Sequence, residues 1–471
     1  MRKFIFFELN EVPYTVIDHF CQKYPSSHLA KTLPKCAQVE TVSTDEGELS
    51  PWKTWPTVHR GVNNALHRIH DFGEDLSAID EKYPSIWQIL AQAGMKPGVF
   101  ASMHTFPMPE NYQDYSFFIP DPFAGDSKSY PKNIEPFQRF NLAMSRKSGR
   151  NVDTGIDVKT ASALAVSLPK LGIQPKTLAG IAGQLIAERM ENWKKNRRRV
   201  FQSVLAFDIY LKLVNSRKPA FSTFFSNHVA STMHRYWAAT FPDHYEAYNL
   251  SDEWRNRFSG EIDYAMEHFD AFFKRLIQFA DRNPEYKIVI ASSMGQEATK
   301  AEELSTELYC KALEKFLEVF GISENDWEIK PAMHPQYNFA LHSAEKALRL
   351  NNDLKKVIIN GTPLIFRNKE NFFSINFGHR NLEEETFTFK DIAVSLANAG
   401  LFNEQIDDES DGTAYHIPEG CFFIYDPQDA TEKNNRTRGI PTTAIAPSFL
   451  EHFKLPVPNY MTDARIESLL K

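Results

Sequence analysis

A chain of 471 residues, 42% hydrophobic and 24% charged, has room for one large domain carrying an insertion, or for two domains. Its 20 glycines and 27 prolines exclude collagen-like, low-complexity and disordered classes, and a formal net charge of −7 argues against a general nucleic-acid binder. The four cysteines, Cys21, Cys36, Cys310 and Cys421, form no CxxC pair and read as reduced thiols of a cytoplasmic chain, not as a disulfide framework or a thiolate zinc site.

The N-terminus places positive charge ahead of Phe4-Ile5-Phe6-Phe7, but Glu8 ends that apolar run too early for a signal peptide. No later run is long enough to span a bilayer. Phe4 to Phe7 instead predicts a strand buried on both faces of a parallel sheet. A helix is predicted from about Tyr14 to Tyr24. A second is predicted over 84–94, with Pro84 at its start and Gly94 at its end, followed by a strand over Val99 to Ser102. This alternation predicts a doubly wound α/β sheet. From 127 to 215 long polar and basic helical segments take over, among them Lys194-Lys195-Asn196-Arg197-Arg198-Arg199; the expectation is a helical cap whose basic run is a solvated face. Alternation resumes with a strand at Ala220 to Phe225, a helix starting over Asn227 to Trp237, an amphipathic helix at 261–280 and a buried strand at Lys287 to Ala291. Further helices and an exposed acidic stretch, Asp407 to Asp411, are expected in 300–415. The predicted division is an α/β core of 1–126 and 216–471 with a cap at 127–215.

Chemistry concentrates first in Ser50-Pro51-Trp52-Lys53-Thr54-Trp55-Pro56-Thr57-Val58-His59-Arg60-Gly61, running on to His67-Arg68-Ile69. A threonine at a helix start is either an activated hydroxyl, with backbone N–H groups to hold a phosphoryl oxygen, or a turn residue. Further segments follow in order: Gly94 to Phe100, Thr105-Phe106-Pro107, Asp121-Pro122-Phe123, Met233-His234-Arg235-Tyr236-Trp237, Tyr415-His416-Ile417-Pro418-Glu419-Gly420, and Ile445 to Pro458. Taken in this order they resemble the type I phosphodiesterase/nucleotide pyrophosphatase branch of the alkaline phosphatase superfamily. That resemblance implies a mostly parallel doubly wound sheet flanked by helices, a cap that selects the substrate, and Thr54 as nucleophile with Lys53 beside it.

The resemblance also implies a metal site with several departures. Glu8, with Asn10 nearby, stands where the family opens with an Asp ligand. His234 and His416 match the two histidine ligands. Ala230 takes the place of an Asp four residues before His234, and Asn227 and His228 lie just upstream. In Ile290-Ala291-Ser292-Ser293-Met294-Gly295-Gln296 the family's Asp-His pair has become Ser293 and Met294. A hydroxyl is a weak ligand and a thioether is too soft to sit beside hard oxygens, so the second metal site is lost. What survives would hold one Zn²⁺ or Mn²⁺ ion through Glu8, His228, His234 and His416. The resemblance thus implies hydrolysis or transfer of a phosphoryl or nucleotidyl group on a small phosphate ester or nucleotide-linked substrate. Two rivals keep the fold. One is metal-independent transfer from a nucleotide-linked donor, with Asn10, Asn227, Ser293 and Gln296 lining the pocket; the other is a non-catalytic binder of a phosphorylated ligand. The sequence leaves the oligomeric state open. His379 and Arg380 read as a loop cap, and Asp121 and Asp126 as turn residues.

Overall fold

The computed structural model describes residues 1–146, 158–246, 249–406, 410, 412–429, 431–433 and 435–470. Its centre is an eight-stranded sheet. Strands β1 (Lys3–Leu9), β2 (Ala37–Val42), β3 (Gly98–Phe100), β4 (Phe117–Ile119), β5 (Phe221–Ser226) and β6 (Tyr286–Ala291) are joined by the late strands Glu419–Tyr425 and Arg436–Pro441. From one edge the order is Arg436–Pro441, β2, Glu419–Tyr425, β6, β1, β5, β3, β4. Only Glu419–Tyr425 runs antiparallel to its neighbours; every other pairing in this sheet is parallel.

The central position of β1 follows from its composition. Phe4, Ile5, Phe6 and Phe7 are buried on alternate sides, as a strand covered by helices on both faces must be. On one side Phe4 and Phe6 meet Phe449 at ring-centroid distances of 5.0 and 5.4 Å. On the other, Phe7 packs with Phe224 and Phe269 at 5.1 and 5.7 Å, in the tilted and edge-on geometries that aromatic rings prefer.

Within the predicted cap, the described residues form the helices Glu135–Arg146, Val158–Leu171, Pro175–Met190 and Arg198–Arg217. The last lies on the sheet: Phe207 stacks on Phe272 at 4.5 Å, and the Tyr210 hydroxyl is 2.9 Å from Ser222 Oγ on β5.

The segment 300–415 departs from expectation. Its described residues hold two α-helices, Leu313–Glu318 and Ala344–Leu354, and are otherwise chiefly short antiparallel strands. These enclose a second hydrophobic core built on Phe316, Phe339, Phe373, Phe377 and Phe387. Strands such as Trp327–Lys330 and Ile365–Lys369 are mostly solvated, so they lack the apolar runs that reveal a buried strand. Of the acidic stretch, all but Ser410 lies outside the described residues.

Parallel strands align their carboxyl ends at one rim. Asn10 and Glu11 follow β1, Asn227 and His228 follow β5, and Ser292 and Ser293 follow β6. Open sheets of this kind hold ligands beyond those ends.

Candidate metal centre and cleft

Glu11 is the residue the sequence reading missed. It sits two residues beyond β1 with φ of 59°, a left-handed conformation uncommon for a non-glycine residue and one that concentrates at functional sites. Its side chain is 3% exposed and is held from both sides. Asn10 Nδ2 donates to Oε1 at 2.7 Å, while the Gln296 amide donates to Oε2. The same Oε2 lies 2.8 Å from His234 Nε2 and 3.3 Å from His416 Nε2.

The two imidazoles arrive from distant segments. His234 projects from the helix His228–Thr240. His416 lies on the strand Ala414–Ile417, which pairs antiparallel with β7 (Gly295–Ala298) and sets His416 opposite Gln296. Each ring uses Nδ1 on a backbone carbonyl: His234 on Ala414 at 2.8 Å, and His416 on Leu49 at 2.7 Å. A carbonyl accepts only, so each Nδ1 carries a proton, and in the neutral ring Nε2 is a bare lone pair. Two such lone pairs then face an ionised carboxylate, which also only accepts. The arrangement calls for protons or a cation between them.

The donor set suits a cation. One carboxylate oxygen and two imidazole nitrogens lie within 4.8 Å of one another, and a carbonyl behind each imidazole is how proteins orient histidine ligands. Oxygen and imidazole donors match Zn²⁺ and Mn²⁺. Protons on the imidazoles are the cation's competitors for the same place: burial opposes ionisation of Glu11, but the facing His416 and His234 prevail and hold its carboxyl well below the usual range. Burial likewise opposes the charged form of His416, and Glu11 overcomes it and raises the imidazole.

Other expected site residues fall elsewhere. Glu8 points from β1 into the core, where Oε1 meets His59 Nε2 at 2.8 Å; both side chains are buried, and neither joins the Glu11 cluster. His228 turns inward, with Nδ1 2.7 Å from Ser226 Oγ, and burial pushes its imidazole down to about 3, leaving a neutral ring; it reaches the cleft wall but not the Glu11 cluster. Thr54 is fully buried in the first turn of the helix Pro51–Arg60. Its N–H bonds Ser50 O, as a helix residue's does, and its hydroxyl lies 2.8 Å from Ser293 Oγ. Ser293 is thereby occupied as well, and Met294 is core. Lys53 donates to Glu48 O at 2.8 Å and is largely buried, away from the cleft lining. Gln296 serves Glu11 and the Ala230 carbonyl from behind. Asn10 does line the cleft, though its amide is spent on Glu11 and Asn227 and its carbonyl on Trp55 Nε1. Asn227 gives its carbonyl to Asn10, which leaves its amide N–H groups facing the cleft.

The cleft above this cluster has a volume of about 700 Å³. Asn10, Asn227, His234 and His416 form its floor, and Arg199, Arg235, Lys300 and Arg380 bring positive charge to its walls. Trp52 and Tyr415 line it as well.

His67, in the segment after the Pro51 helix, has a structural task. Its Nδ1 accepts from Ile69 N–H at 3.0 Å, which places the ring proton on Nε2, 3.0 Å from Thr57 Oγ1; Thr57 in turn donates to Asp45 at 2.6 Å. Burial, reinforced by Arg60, pushes the imidazole down to about 3. The unfolded chain therefore takes up this proton near pH 6.5 and the folded chain does not, so stability falls as pH drops from 6.5 towards 3. The expected result is that the urea-measured loss of stability between pH 7 and pH 5 is smaller in His67→Asn than in the parent by about 2 kcal/mol. Identical losses would contradict the assignment.

Comparison with known proteins finds no matching family model and no matching curated sequence. Solved structures do match. The murine ectonucleotide pyrophosphatase/phosphodiesterase 5 is 10% identical, over 97% of this chain and 96% of its own, with a TM-score of 0.41. Phosphonoacetate hydrolase from Sinorhizobium meliloti 1021 is 12% identical, over 94% and 93%, with a TM-score of 0.42. A mutant of TAB5 alkaline phosphatase is 10% identical, over 97% and 100%, with a TM-score of 0.37.

Proposed function

We propose that the protein is an alkaline phosphatase-like enzyme that cleaves a phosphate ester at a single divalent cation, held by Glu11, His234 and His416. One observation carries the reading: a carboxylate and two imidazole nitrogens, whose partner nitrogens are tied to carbonyls, meet at the carboxyl rim of a parallel sheet beneath a cationic cleft. When bound, the cation neutralises charge on the phosphoryl oxygens as a Lewis acid. Arg199, Arg235, Lys300 and Arg380 draw an anionic substrate into the cleft, and the Asn227 amide donates to a phosphoryl oxygen. Asn10 and Gln296 fix the Glu11 carboxylate, so that its orientation survives substrate exchange. Trp52 and Tyr415 offer flat faces for the ester's organic group, which a nucleotide base would fit.

The buried Thr54 hydroxyl, bonded to Ser293, favours direct attack by water over a threonyl intermediate. Attack by Thr54 would require the first turn of its helix to open towards the cleft, whereas water enters unaided.

Elemental analysis of the purified protein tests the reading, with about one zinc or manganese per chain expected. Release of nitrophenol from bis-nitrophenyl phosphate should disappear with chelation and return with the ion. Protein that turns over without bound metal would favour group transfer from an activated donor, and protein that binds the ester without cleaving it would favour a non-catalytic role. Thr54→Ala is expected to keep kcat within about threefold of the parent. A loss beyond a hundredfold, or a phosphorylated threonine trapped by acid quench, would restore the covalent route.

A further inference from the structure

The helix Pro175–Met190 is inverted. Its polar residues face inward: Thr177 Oγ1 donates to Asp208 at 2.7 Å, Gln184 donates to the Lys194 carbonyl at 2.7 Å, and Glu188 pairs with Arg198 at 2.6 Å. Apart from Ile181, which packs against the core, its large apolar residues face out, with Leu178 42%, Leu185 50%, Ile186 61% and Met190 80% exposed. Positions 178, 182, 185, 186, 189 and 190 share one helical face, roughly opposite that of 177, 184 and 188. Alanine and arginine complete the exposed face, as Ala182 and Arg189, and no acidic residue lies on it. A surface helix that hides hydrogen-bonding groups and shows leucine and isoleucine has an apolar partner.

Charge identifies the partner's chemistry. Between Lys170 and Arg199 basic residues outnumber acidic ones eight to two, in a chain whose formal net charge is −7. Both acids are already paired, Glu188 with Arg198 and Glu191 with Lys194, whereas Lys170, Lys176 and Arg189 are solvent-exposed. A second copy of this face would set like charges against one another. A nucleic acid would meet the cations but leave the leucines in water. An anionic lipid surface satisfies both, taking the apolar stripe among its acyl chains while the long basic side chains reach up to the headgroups. We propose that the Pro175 helix docks the protein onto an anionic bilayer, lying in its plane. No helix among the described residues is long and apolar enough to cross one. This inference stands apart from the metal centre.

The test is sedimentation of the full chain with vesicles of phosphatidylcholine alone or mixed with phosphatidylserine. Binding is expected only to the mixed vesicles and should weaken with salt. Leu185→Glu/Ile186→Glu and Lys176→Glu/Arg189→Glu should each lower the partition coefficient by about tenfold or more, with the melting temperature unchanged because all four side chains are exposed. No binding to mixed vesicles overturns the proposal, as does equal binding by both variants. A dimer seen by light scattering that Leu185→Glu/Ile186→Glu dissociates, without vesicle binding, overturns it in favour of a second copy.

Discussion

Glu11→Gln should strip the cation and lower kcat/KM for a phosphodiester by about a thousandfold, the scale expected when a Lewis acid worth several kcal/mol is lost. The substitution keeps the side chain's volume and its hydrogen bond from Asn10. It removes the charge that balances two imidazoles, and it places a neutral amide where the anionic ligand stood. Metal content should fall from about one per chain towards zero, while the far-ultraviolet spectrum stays that of the parent. Glu8→Gln is the matched control: a buried glutamate three residues earlier, within β1, whose replacement should leave metal content unchanged because Glu8 contacts His59 and not the cluster. Full activity in Glu11→Gln, or loss of metal in Glu8→Gln, would return the ligand role to Glu8.

The largest effect on stability is expected at that same buried pair. His59→Phe leaves the shape of the site nearly intact and removes the one partner that Glu8 Oε1 has among the described residues, where Oε2 has none. A carboxyl group sealed in the core without a partner costs about 3–5 kcal/mol, to be read as a fall in urea midpoint at constant slope. Glu8→Leu/His59→Phe should recover most of the loss, because two apolar side chains of similar volume need no partners. Additive losses in the double variant would show that the pair contributes through packing alone, by way of Trp55 and Trp87, which contact the His59 ring at 5.5 and 4.5 Å.

Much of the sheet domain is legible in the sequence because its signals are strong ones. The apolar runs at 4–7, 220–225 and 287–291 correspond to β1, β5 and β6, and the amphipathic stretch at 261–280 to the helix Glu261–Arg282. His234 and His416 were legible through the order of their flanking segments. Glu11 was not, because its role depends on a single left-handed residue after the strand, and nothing in Leu9-Asn10-Glu11-Val12 announces that conformation. Glu8 was the natural choice by position, but strand alternation turns it towards the Pro51 helix and away from the rim. Ser293 and Gln296 are buried behind the residues that line the cleft, a distinction of depth that spacing along a chain does not encode. The region 300–415 hid its strands because they are short and half-solvated.

The sheet's strand order bears on how the protein is made. Strand β2 is complete by Val42, yet it reaches β6 only through Glu419–Tyr425, and Arg436–Pro441 attaches outside β2 in turn. A nascent chain therefore carries β2 as an orphan until the strand that begins 377 residues after Val42 has left the ribosome. The edge of β6 that Glu419–Tyr425 covers stays open for as long, which is the kind of delay that exposes newly made chains to aggregation and recruits chaperones. Synthesis and folding of this sheet are thus separated in time, because the strand that joins β2 to β6 arrives long after β2 itself.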